Sequence, residues 1–260
     1  MHTAPHAAIG LLEAAARLQP DRARIHGNLA WALSNAGRHA EAKAAAERAR
    51  SLDPDDPYTA SIRVTVLGAA RDDSVIEAAR ETMQLPGASR EDRRDAHAAM
   101  CWALMRTAPA SAVRETERLV AEWPDHAYAL AAHGCALAGA CRWDEGLTWL
   151  DKAIAVNPTD LQLAIRRAKI EEARDFAHAM MRQLRANAER HPTDANGWRE
   201  LGLCLAKFAR LSEALEAFDR ANALDPADGD ARPDPLVMAA LTVEATARSA
   251  ILVGEIAPIG

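Results

Sequence analysis

Small and apolar residues recur along this chain in paired stripes, each at helical spacing. Between 195 and 226, Trp198, Leu201 and Leu205 share one face of a first segment, and Ala214, Phe218 and Ala221 share one face of a second. Intervals of three and four residues predict two amphipathic helices. Gly202 and Ala214 stand where the two backbones must approach closely, and Pro226 stops the second helix because its ring clashes with the preceding turn. Leu29, Ala30 and Leu33 followed by Ala42, Ala46 and Ala49 repeat the arrangement, as do Leu130, Gly134 and Leu137 followed by Gly146, Leu150 and Ala153.

Elsewhere the pattern weakens. Ala96, Ala99, Met100 and Ala103 precede Ala112 and Leu119. Before Pro192, Ala164 and Ala168 fit a first helix, but Arg167 and Glu171 occupy positions that are apolar elsewhere; Met180 and Leu184 then fit a second. The stretch 57–85 is assigned a helix pair chiefly by its place in the series. Ala8, Leu12, Ala15 and Pro20 match a second helix alone.

Prolines fix the period. Pro20 and Pro54 are 34 residues apart, and Pro124, Pro158, Pro192 and Pro226 continue at the same interval. The interval from Pro54 to Pro124 is two periods plus two residues, with Pro86 between them. A fixed period of this length marks a repeat architecture. W-x-x-L-G-x-x-L at 198–205 with A-x-x-x-F-x-x-A at 214–221 resembles the tetratricopeptide-repeat (TPR) family, with Leu205 where tyrosine is usual. The resemblance spans roughly 5–226. It implies an all-α, right-handed superhelical solenoid of antiparallel helix pairs. The expected organisation is a half-repeat or capping helix at 1–22, repeats at 23–54, 56–88, 93–124, 127–158, 161–192 and 195–226, and a capping helix with a tail at 227–260.

Turn chemistry agrees with that division. DPDDP, NPTD, HPTD and DPADGD each combine a proline stop with Asp, Asn or Thr able to cap the next helix. Ser89-Arg90-Glu91-Asp92 predicts a helix start with a serine cap and early acids, and TAPAS at 107–111 separates the helices of the third repeat.

Composition narrows the function classes. Hydrophobic residues make up 49%, yet only 4% are aromatic and much of the remainder is alanine, which favours thin helix-on-helix layers. The net charge of -6 argues against a nucleic-acid partner, since phosphate binding needs a basic footprint. No apolar run is long enough to span a bilayer, so no membrane partner is expected. The first residues lack Lys or Arg ahead of their apolar run, unlike a secretory signal, and a cytoplasmic location is expected. Cys101, Cys135, Cys141 and Cys204 form no C-x-x-C pair and are expected as free thiols.

No phosphate-binding loop, H-E-x-x-H pair or G-x-S-x-G turn is present. His133, Cys135 and Cys141 lie close in sequence, but His133 and Cys135 diverge around a helix, and His133 falls on a packing stripe. A packed histidine and buried thiols are expected rather than a metal site. No catalytic residue and no cofactor are assigned, and the chain is not expected to be an enzyme.

In the family that this chain resembles, the first helices line a concave groove that holds a peptide or a partner helix. Helical phasing puts Arg24, Asn28 and Trp31, then Arg94, His97 and Cys101, then Tyr128 and Cys135, then Gln162, Arg166 and Lys169, and finally Asn196 and Arg199 on that groove. Arg166, Lys169 and Arg199 form an expected basic cluster suited to an acidic segment, while Trp31, Cys101 and Tyr128 suit an apolar anchor. Many co-chaperones of the family grip a C-terminal carboxylate with Lys, Asn and Arg; here Gly27, Trp31 and Ala60 occupy parts of that set, so this ligand is not expected. The resulting expectation is a scaffold or adaptor that binds a protein or peptide. The alternative is an accessory subunit that positions a partner enzyme or its substrate. At 234–253, Leu236, Ala240, Val243, Ala247 and Ile251 mark one face of a further helix, with Val237, Leu241 and Leu252 around it. That breadth suits either a cap on the last repeat or a contact with a second copy or another partner.

Overall fold

The computed structural model describes residues 3–226, with side chains from residue 7 onward. Every regular element among them is an α-helix: α1 (Thr3–Leu18), α2 (Ala23–Asn35), α3 (His39–Leu52), α4 (Pro57–Ala69), α5 (Val75–Gln84), α6 (Arg90–Thr107), α7 (Pro109–Glu122), α8 (Ala127–Gly139), α9 (Trp143–Val156), α10 (Leu161–Arg190), α11 (Ala195–Lys207) and α12 (Leu211–Leu224). The helix expected at 234–253 lies outside the described residues. Two compact units divide between Thr107 and Ala108, within the TAPAS segment.

In the first unit α1 packs on α2, α2 pairs with α3, and α4 packs on both before pairing with α5; α6 then packs on α4 and α5. Ile9, Leu33, Ile62 and Val66 fill the spaces among Ala30, Ala42, Ala45 and Ala46. Alanine at the contacts lets the helices lie close, and burial of many small apolar surfaces supplies the stabilisation at roughly 25 cal/mol per Å². The weakly patterned stretch 57–85 forms a full pair. Pro57 opens α4 at its first turn, where its missing N–H costs nothing. Val64, Val66 and Leu67 of α4 and Val75, Ala78 and Ala79 of α5 are buried. Thr82 is buried as well, because its hydroxyl donates to the Ala78 carbonyl at 2.8 Å.

In the second unit α7 packs on α8, α8 pairs with α9, α10 packs on α8, α9 and α11, and α11 pairs with α12. Gly202 lies against the Phe218 ring, and Gly134 lies against Gly146 and Leu150. Some of the expected caps form; Asp56 of DPDDP caps nothing with its side chain and accepts from Arg24 instead, and DPADGD runs beyond the described residues. The carboxylates of Asp160 and Asp194 accept from the N–H groups of Gln162 and Asn196 at 2.9 and 3.0 Å. Ser89 and Asp92 bond reciprocally at the start of α6, each accepting from the other's N–H at 3.0 Å.

In the α2–α3, α4–α5, α8–α9 and α11–α12 pairs, the turn follows one design. Gly37, Arg71, Cys141 and Ala209 all have φ between 54° and 74°. The next residue's N–H reaches back to the carbonyl of Leu33, Leu67, Leu137 or Leu205 at 2.9–3.0 Å. This left-handed cap satisfies the last carbonyls of the first helix and reverses the chain. Three of the four positions carry a side chain, so backbone strain there is offset by the packing of the pair.

The fifth repeat breaks the design. The expected pair at 161–192 is instead the single 30-residue helix α10. Asp175 stands one period from both Cys141 and Ala209, yet it remains helical. The cause is local: 161–190 contains no Gly or Pro, and around the turn position Glu171, Glu172, Ala173, Arg174 and Ala177 are strong helix formers. Arg167 and Glu171, which replace apolar packing residues, bond to each other one turn apart at 2.7 Å. The sequence has removed both the turn and the surface that would hold a folded-back helix.

Candidate functional site

A solvent-facing ladder joins the first helices of the first unit. Arg24 on α2 donates two hydrogen bonds to Asp56, at 3.0 and 3.3 Å, and its guanidinium lies 5.4 Å from the Tyr58 ring centre. The Tyr58 hydroxyl donates to Asn28 Oδ1 at 2.6 Å. Ser61 on α4 donates to Asp92 of α6 at 2.8 Å. Burial works against the charge of Asp92, but hydrogen bonds from Ser89 and Ser61 outweigh it and hold the carboxyl below its usual range. Beside this polar ladder are two exposed aromatics, Trp31 at 54% and Tyr58 at 45%. Tyr58 reaches over α2 to Asn28, and Trp31 is the next residue of the same stripe, one turn further along.

Tyr58 was not among the expected groove residues, because its repeat is the weakly patterned one. The signal was present: Tyr58 stands one period after Arg24.

The remaining expected residues are placed differently. Arg94 is half-buried and donates to Asp95 at 2.8 Å; His97 and Tyr128 are half-buried. Cys101 and Cys135 are fully buried, so neither presents its thiol to a partner. The reason is that α8 is apolar on all sides, Ala129–Gly139 being buried throughout, and α6 is buried continuously from Met100 to Met105. Burial pushes the Cys135 thiol up to about 11, with Arg166 pulling the other way through a hydrogen bond and its charge.

The expected basic cluster does not assemble at the surface. Arg166 is 4% exposed, because it lies on one stripe with the buried Leu163 and Ile170. Lys169 and Asn196 are exposed and Gln162 is half-buried. Arg199 is half-buried, donates to Asn196 Oδ1 at 2.8 Å and lies 3.7 Å from Asp225.

His133 is packed as expected. Its Nδ1 lies 3.0 Å from Thr116 Oγ1, and its ring meets Trp149 edge-on at 4.9 Å. Among the described residues, no group of three or more His, Cys, Asp or Glu side chains is disposed to hold a metal ion, and no helix is long and apolar enough to cross a membrane. An open cavity of about 310 Å³ has Cys141, Trp143, His178, Met181, Phe208 and Arg210 on its walls. Trp143 meets both His178 and Phe208 edge-on, at 5.8 and 5.6 Å, and so ties the α8–α9 pair to α10 and to the α11–α12 pair.

Residues 3–63 match the family model of the tetratricopeptide repeat. This segment carries the tetratricopeptide repeat. A comparison with curated proteins returns no match. Among solved structures, this chain is similar to YrrB, described as a TPR protein with an unusual peptide-binding site, at 16% identity over 85% of this chain and 95% of that one, with a TM-score of 0.44. It is similar to MamA of Desulfovibrio magneticus RS-1 at 16% identity over 80% and 97% of the two chains, with a TM-score of 0.44. Human IFIT1, in a dimer with m7Gppp-AAAA, is similar at 12% identity over 86% and 68%, with a TM-score of 0.47. The TPR fold is in general a scaffold for protein–protein interaction.

Proposed function

We propose that this protein is an adaptor that holds a partner protein or an extended peptide segment against the first-helix face of its first unit. The observation that carries the reading is the pair of exposed aromatics, Trp31 and Tyr58, set beside the hydrogen-bonded Arg24–Asp56 and Asn28–Tyr58 groups. Trp, Tyr and Arg dominate binding hot spots because each combines a large contact area with a polar or charged group. Tyr58 is held in place by Asn28 and Arg24, so little side-chain entropy is lost when a ligand covers it. The partner should supply an apolar side chain against Trp31 and a backbone or amide group toward Asn28 and Asp92. Arg166 contributes no surface charge, and the reading does not depend on an acidic segment.

The test is affinity capture from the native host with the full chain, compared with a Trp31→Ala/Tyr58→Ala variant. A partner retained by the parent and lost by the variant, with helicity unchanged by circular dichroism, is expected. Loss of two aromatic anchors should weaken binding by at least about 30-fold, the equivalent of about 2 kcal/mol. An identical set of captured proteins from both chains would sink the proposal.

A further inference from the structure

Helix α10 is solvated along the face where other repeats bury theirs. Ala168 stands one period from both Gly134 and Gly202, which press against the second helices of their own pairs. In α10 the second half runs straight on and cannot fold back, and Ala168 is exposed. The same face carries Leu161 at 70%, Ile165 at 36% and Phe176 at 66% exposure. With Glu172 and Ala179, both exposed, these residues follow one another at intervals of three and four, the spacing of a helix-pairing seam. The seam is about 27 Å long at 1.5 Å per residue. It lies roughly opposite the buried stripe of Leu163, Arg166, Ile170, Ala177 and Met181.

We propose that this seam pairs antiparallel with the same seam of a second copy of the chain. The charges choose both direction and register. Lys169 and Glu172 are exposed and make no ion pair with any described residue. A two-fold axis passing between Ile170 and Glu171 sets Lys169 of each chain opposite Glu172 of the second copy, twice over. The same register sets Ile165 opposite Phe176, also twice, and brings Leu161 to Met180. A parallel pair in register would instead oppose Lys169 to Lys169 and Glu172 to Glu172, which disfavours it. The second copy thus covers the face that the missing hairpin leaves bare. A single helix pair buries less than the roughly 1,200 Å² of a standard interface, so the dimer should be weak, with a Kd on the order of micromolar, and sensitive to salt.

Sedimentation equilibrium of the full chain, from micromolar to hundreds of micromolar, tests this. The parent should show a monomer–dimer equilibrium, and Phe176→Asp should be monomeric throughout. Lys169→Glu and Glu172→Lys should each weaken the dimer about 10-fold, because each sets like charges opposite one another twice. The double exchange K169E/E172K should restore the affinity to within about 3-fold, a rescue that general damage to the helix would not give. All three substitutions lie on an exposed face, so circular dichroism should be unchanged. A parent that stays monomeric over the whole range overturns the proposal and leaves the seam to another occupant. A dimer whose affinity is the same in every variant overturns it as well, by placing the contact elsewhere.

Discussion

Gly134 of α8 and Gly146 of α9 press backbone to backbone: a Cβ on Gly134 would stand 2.7 Å from the Gly146 carbonyl oxygen, and one on Gly146 would stand 2.6 Å from that of Gly134. Neither neighbour is a flexible side-chain end, so the helices would have to separate. Gly134→Ala gains about 1 kcal/mol in helix propensity but forces overpacking that costs more. A net loss of about 1–3 kcal/mol is expected, seen as a lower urea midpoint with the slope unchanged. Gly10, which has nothing within 4 Å, provides the contrast: Gly10→Ala should be neutral or stabilising.

Buried His133 should make the fold acid-sensitive. Thr116 Oγ1 donates to the Ala112 carbonyl at 2.9 Å, which leaves His133 Nδ1–H to donate to Thr116 and Nε2 without a proton. Burial lowers the pKa of His133 below the usual 6.5, outweighing the pull of Glu117. The unfolded chain therefore takes up a proton near pH 6.5 that the folded chain refuses. The stability contribution is full above that pH and is lost as pH falls toward the folded-state value. Thermal unfolding followed from pH 7.5 to 5 should show a declining Tm, and His133→Gln should flatten the decline. An equal decline in both proteins would refute the assignment.

The left-handed turn positions predict stabilising substitutions. Arg71 and Ala209 have φ of 54° and 59°, a region that costs a side-chain-bearing residue about 1–2 kcal/mol. Arg71→Gly and Ala209→Gly should each raise stability by about 0.5–1 kcal/mol after the added entropy of the unfolded chain is counted. Gly37→Ala, at φ 74°, should lower it by a similar amount. Chemical denaturation of the three variants checks the sign of each.

Asp175 should resist the same treatment. It holds the turn position of the fifth repeat but lies in the middle of α10. Asp175→Gly should therefore destabilise by up to about 1 kcal/mol, in contrast to Ala209→Gly, because glycine weakens a helix interior. A gain in stability at Asp175 would mean that the fifth repeat folds as a hairpin in solution.

Much of this was legible in the sequence. The proline period, the caps at Ser89, Asp160 and Asp194, and the close approach at Gly134 and Gly202 depend on residues within a few positions of each other or one period apart. The continuous α10 was half legible: Arg167 and Glu171 broke the apolar stripe, but the loss of a turn became clear only when the left-handed position at 175 was seen to be helical.

What the sequence by itself determined is the repeat: helix pairs of fixed length, where they start, and which stripes face inward, because local hydrogen bonding and helical spacing set these. Only the tertiary structure decided which side chains reach the surface. Arg166, Cys101 and Cys135 carry the phasing of a binding face yet are buried, while Trp31, Tyr58 and Phe176 remain exposed. Exposure is set by which neighbouring helices lie alongside, and that is a property of the assembled layers rather than of any one stripe.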